Sequence, residues 1–97
     1  MFNLTGKTAL VTGATGGIGG AIARALHAQG ATVVLSGTRE AVLQALAGEL
    51  GERAFVAAAN LSDLESVDGL IARAEEAAGA PLDILVANVT ARPERDP

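Results

Sequence analysis

The feature that most constrains this chain is a regular alternation between two hydrophobic periods. Residues 7–12 (KTALVT), 31–36 (ATVVLS), 53–58 (RAFVAA) and 82–87 (LDILVA) are short, near-continuous apolar runs. Runs of that length, bounded by Gly, Pro or polar residues, read as strands buried on both faces. Between them, large apolar side chains return every three or four residues, the period of one helix face. The expected order is therefore β-α-β-α-β-α-β. Such a pattern puts the strands in a parallel sheet with helices on both faces, an α/β architecture. Right-handed crossovers then give the doubly wound strand order 3-2-1-4, with the first strand central and the fourth at an edge.

The helix boundaries follow from local chemistry. Residues 17–29 place Ile18, Ile22 and Leu26 on one stripe, expected to face the sheet, and Gly30 follows as the stop. Thr38 is positioned to cap a second helix whose Val42, Leu43, Leu46 and Leu50 share a face, with Gly51 ending it. Ser62 and Glu65 form a capping box, and the helix it opens turns Leu64, Val67, Leu70, Ile71 and Ala74 inward as far as about Ala78. Gly79 and Pro81 break the chain before the fourth strand. After that strand the sequence becomes polar (TARPERDP, residues 90–97) and reads as a tail. The expected division is residues 1–88 as a partial α/β domain and 89–97 as a separate polar tail.

With 97 residues the chain makes one domain, and an apolar fraction of 49% rules out a disordered linker. The net charge of −4 argues against nucleic acid or an anionic membrane as partner. No cysteine is present, so disulfides, thiolate metal sites and redox pairs are excluded. The first residues lack a secretory layout and no apolar run approaches a membrane span, so a cytoplasmic location is expected. The Asn-x-Ser/Thr matches at Asn3, Asn60 and Asn88 then read as chance and not as glycan acceptors.

The chemistry-bearing motif follows the first strand: Thr12-Gly13-Ala14-Thr15-Gly16-Gly17-Ile18-Gly19, a T-G-x-x-x-G-x-G turn. Gly13 permits a sharp turn off the strand. Gly17 removes a side chain where backbone would approach a pyrophosphate, and Gly19 allows close packing of helix on sheet. The helix N-terminus adds free N–H groups and the positive end of its dipole. A P-loop is excluded, because no G-K-[ST] follows the glycines. Placed between a first strand and a first helix, the turn marks a Rossmann-type fold.

These residues carry a resemblance. The segment LTGKTALVTGATGGIGGAIARALHAQGATVVLSGTRE, together with Leu82-Asp83-Ile84-Leu85-Val86, resembles the short-chain dehydrogenase/reductase family. More narrowly it resembles the bacterial 3-oxoacyl-[acyl-carrier-protein] reductases of fatty acid synthesis, over about residues 2–88. The resemblance implies that Gly13, Thr15, Gly16, Gly17, Ile18 and Gly19 line the pyrophosphate of a nicotinamide dinucleotide. It implies that the end of the second strand faces the adenosine ribose. Members preferring NAD place an acid there, whereas this chain has Ser36-Gly37-Thr38-Arg39. Thr38 can donate to a 2′-phosphate and Arg39 can pair with it, so NADP is expected rather than NAD. Asn60 and Leu61 stand where the family holds the adenine, and Asn88 where it supports the sheet centre and the nicotinamide ribose.

The resemblance also shows what is lacking. The family's hydride chemistry uses a Ser, a Tyr as acid/base and a Lys that lowers the phenol's pKa. This chain has no Tyr, and its one Lys is Lys7 at the start of the first strand. His27 lies late in the first helix, expected on its solvated side, and the carboxylates are scattered, so neither a catalytic cluster nor a metal site is expected. Ala87-Asn88-Val89-Thr90 replaces the family's Asn-Asn-Ala-Gly, and the change into TARPERDP suggests a frameshift or a truncated reading frame. Two functions follow as expectations. One is the cofactor-binding part of an NADP-dependent ketoreductase, inactive alone and of marginal stability. The other is a non-catalytic nucleotide-binding or interaction module that pairs with an intact family member through the exposed sheet edge.

Overall fold

The structure, a computed structural model, describes residues 3–14, 17–37, 39–57 and 67–86. Its elements are β1 (Thr8–Val11), α1 (Gly17–Ala28), β2 (Thr32–Leu35), α2 (Glu40–Leu50), β3 (Ala54–Val56), α3 (Val67–Ala78) and β4 (Ile84–Val86). The four strands form one parallel sheet in the order β3-β2-β1-β4, as the alternating pattern requires.

Strand alternation sorts the core into two layers. Ala9, Val11, Val33 and Leu35 point to one face and pack with Ala23 of α1 and Leu43 and Leu46 of α2. Leu10 and Val34 point to the other and pack with Leu70 and Ala74 of α3. Leu10, Leu35, Leu43 and Leu70 are fully buried, each worth about 2–3 kcal/mol relative to exposure. The register sets Phe55 beside Val34 and Leu85 beside Leu10. These two outer residues remain 37% and 47% exposed.

The helix stripe of α1 differs from the expected one. Ile18 is 71% exposed, whereas Leu26 packs partly buried against the core as expected, and the buried residues of α1 are Gly19, Gly20 and Ala23. The contact face is built from the smallest residues, which lets the helix axis approach the sheet closely; a reading weighted toward large side chains misplaces it by about one residue. In α2, Leu43 and Leu46 are buried as expected, while Val42 lies partly exposed beside α1. The α2 N-cap is Arg39, with no side-chain capping hydrogen bond. The Ser62–Glu65 capping box, Leu64 and the tail from residue 89 lie outside the described residues.

Specific polar contacts hold the connections. The backbone N–H of Thr8 donates to Asp83 Oδ2 at 2.9 Å and the N–H of Asp83 donates to the Thr8 carbonyl at 2.8 Å, fixing the start of β4 on β1. Arg53, at φ 67°, turns the chain into β3 and donates from Nη1 to the Ala31 carbonyl at 2.8 Å. His27 is half-buried, with Nε2 2.6 Å from the Glu52 carbonyl in an exposed contact. Gly30 closes α1 at φ 103°, and a Cβ there would stand 2.7 Å from Thr5 Oγ1.

Candidate nucleotide site

The site lies where β1, β2 and β4 end and α1 begins, the carboxyl edge at which an open parallel sheet receives ligands. The first half of the glycine turn is anchored on both sides. Toward β2, the N–H of Ala14 donates to the Ser36 carbonyl and that of Ser36 to the Val11 carbonyl, each at 2.9 Å. Toward β4, the N–H and hydroxyl of Thr12 both donate to the Val86 carbonyl, at 3.0 and 3.2 Å. Thr12, Ala14 and Ser36 are all buried, so the turn leaves the sheet from a rigid base.

Gly13 has φ 66°, a left-handed conformation that costs a residue with a Cβ roughly 1 kcal/mol or more. Gly17 opens α1 and is exposed, and a Cβ on it would meet nothing within 4 Å among the described residues. Among the described residues, no packing contact demands glycine at 17. The open space in front of it, the positive end of a helix of 12 residues and the lack of any acidic residue in its first turn suit a bound phosphate. On these grounds the residues present fit a dinucleotide pyrophosphate. Ile18 projects into solvent beside Gly17, whereas Gly19 is buried against the core.

Arg39 is exposed at the head of α2, adjacent to the end of β2. Its guanidinium joins the positive end of the α2 dipole, though Glu40 occupies that helix's first turn. Between α1 and α2 runs a groove of about 280 Å³, walled by Ala14, Gly17 and Gly20 on one side and Val42 and Leu46 on the other. Gly20 is the residue that sequence reasoning passed over. Its missing side chain leaves 3.5 Å from the ideal Cβ position to the Ala14 carbonyl and 3.3 Å to Arg24 Nη1. Its proximity to Gly17 and Gly19 in a helix meeting a second helix was the available signal.

Of the expected contacts, Gly13, Gly17, Ile18 and Gly19 lie together at this edge and Arg39 heads the neighbouring helix. Thr15, Gly16, Thr38, Asn60, Leu61 and Asn88 lie outside the described residues. Among the described residues no group of three His, Asp or Glu side chains could hold a metal ion, and no helix is long and apolar enough to cross a membrane.

Known proteins share this arrangement. The chain is 57% identical over 88 residues to nodulation protein G of Rhizobium meliloti, an alignment covering 91% of this chain and 36% of that protein. It is 47% identical to the 3-oxoacyl-[acyl-carrier-protein] reductase of Rickettsia bellii, covering 91% of this chain and 34% of that one. Among solved structures, it is similar to a 3-ketoacyl-(acyl-carrier-protein) reductase from Brucella melitensis complexed with NADH, with TM-score 0.77 and 37% identity over 86% of this chain and 34% of the other. A short chain dehydrogenase from Mycobacterium smegmatis superposes with TM-score 0.80 and 36% identity, over 91% of this chain and 40% of that one. The chain thus spans about a third of the length of these relatives. With the sheet order, the glycine turn and a match to the short chain dehydrogenase family over residues 7–96 all in agreement, this chain belongs to that family.

Proposed function

We propose that this chain is the cofactor-binding part of an NADP-dependent ketoreductase acting on 3-oxoacyl thioesters, and that it does not catalyse the reaction alone. The observation that carries the reading is the open space before Gly17 at the uncapped-by-acid start of α1, beside a turn braced to β2 and β4. Gly13, Thr15, Gly16, Gly17, Ile18 and Gly19 hold the pyrophosphate. Thr38 and Arg39 favour the ribose 2′-phosphate, Asn60 and Leu61 border the adenine, and Asn88 follows β4 toward the nicotinamide ribose. Bound NADPH would supply the hydride. The chain's own groups bind and orient it, but with no Tyr the proton donor of the family's chemistry is missing. The expected result is nucleotide binding without NADPH-dependent reduction of an acetoacetyl thioester. Turnover that tracks the purified chain through chromatography would refute the reading.

A second reading is favoured by Leu85, half exposed on the edge strand β4. An edge that presents both backbone donors and an apolar side chain can pair with another polypeptide. On this reading the chain is a non-catalytic module that associates with an intact family member in the cytoplasm. Co-purification with such a reductase supports it, and a monodisperse monomer in the presence of the reductase counts against it.

A further inference from the structure

The groove between α1 and α2 is lined by one further cation, Arg24 of α1. Arg24 reaches across it to Glu49, with Nε donating to Oε2 at 2.7 Å and Nη2 to Oε1 at 3.1 Å. That leaves Nη1, which lies 3.3 Å from the point where a Cβ on Gly20 would stand, while the Ala14 carbonyl is 3.5 Å from the same point. The guanidinium thus folds back along α1 into space that glycine at 20 leaves open. The groove it borders continues past Gly20 to Ala14 and Gly17, at the glycine turn. Residues 13–19 contain no cationic side chain of their own.

We propose that Arg24 is a specificity-determining residue for the ribose 2′-phosphate, supplying from α1 the positive charge that the glycine turn lacks. Glu49 holds one edge of the planar guanidinium, which orients the remaining Nη1 donors along the groove. Arg39 acts from the head of α2, so the phosphate is met by a cation from each helix. This inference rests on the NADP reading and adds to it a residue outside both the glycine turn and the end of β2. Arg24 is paired with Glu49 and both side chains face water. Its effect on a phosphate of charge about −2 is therefore partly compensated and screened, and the expected change in affinity is about three- to tenfold.

The test is a titration of NADPH and NADH against the purified chain and its R24Q, R24K and R24Q/E49Q variants, with melting curves to verify folding. In R24Q and in the double variant, NADPH affinity is expected to fall about three- to tenfold with NADH affinity unchanged, and in R24K the preference is retained. An unchanged NADPH-to-NADH ratio in R24Q overturns the role of Arg24 while leaving the NADP reading standing. Restoration of the ratio in the double variant also overturns it, because the effect then belongs to the uncovered Glu49 charge. Tighter binding of NADH by the unaltered chain overturns the NADP reading itself, and with it this inference.

Discussion

Thr12 gives two hydrogen bonds to one acceptor, the carbonyl of Val86: its N–H at 3.0 Å and its hydroxyl at 3.2 Å. The first residue past β1 is thereby tied to the last residue of β4, on the edge where the glycine turn begins. Replacing Thr12 by Val keeps the shape and the N–H but buries a methyl group where the hydroxyl stood. The expected cost is about 1–2 kcal/mol, read from urea denaturation of the T12V variant. Thr12→Ser, which keeps the hydroxyl, should lose less.

Gly30 offers a sharper backbone test. At φ 103°, with a Cβ position 2.7 Å from Thr5 Oγ1 and 3.1 Å from the Thr5 N, alanine is both strained and crowded. Gly30→Ala is expected to destabilise by about 2 kcal/mol or more, as a fall in the denaturation midpoint with little change in slope. Relieving the side-chain clash with Thr5→Ala should recover only part of that loss, since the Thr5 backbone and the φ remain.

The architecture was legible in the sequence because it depends on coarse patterns. Continuous apolar runs and short connections leave few topologies, and Gly30, Gly51 and Gly79 all close their helices at positive φ. The face of α1 was legible only at Gly19 and Leu26. Gly19, Gly20 and Ala23 carry the contact, and small residues give no hydrophobic signal even though they set how near the helix lies. Nor could the sequence show that Asp83 takes the place of a ladder acceptor for Thr8, or that His27 lies against the Glu52 carbonyl. Such contacts depend on residues brought together across 75 and 25 positions. At the site, the glycine spacing foretold the turn, while its bracing by Ala14, Ser36 and Val86 appears only once the strands are paired.

The Arg24–Glu49 pair gives a pH dependence with a defined sign. The guanidinium's hydrogen bond and charge hold the Glu49 carboxyl below its ordinary range. A carboxylate lowered in the folded state contributes stability that is full above its unfolded value and is lost as pH falls through the folded one. Arg24 is shifted upward, so its contribution persists across all working pH. Both groups are exposed, so the effect is small and screened by salt. In acid titrations of stability, E49Q should show a shallower loss than the unaltered chain, and the difference should shrink at high salt.

Arg39 tests the electrostatics at the head of α2. Arg39→Ala is expected to weaken NADPH binding about tenfold and to leave NADH within about twofold. Competition between the two nucleotides, measured by equilibrium dialysis, reads this ratio directly. Equal losses for both would place Arg39 elsewhere than at the 2′-phosphate.

The most direct test of the central claim is isothermal titration of NADPH and NADH against the purified, folded chain. One NADPH is expected to bind per chain, more tightly than NADH, with heat that disappears when Gly17 is replaced by a bulky residue such as Leu. A folded chain that binds neither nucleotide, or a Gly17→Leu variant that binds NADPH as well as the unaltered chain, would contradict it.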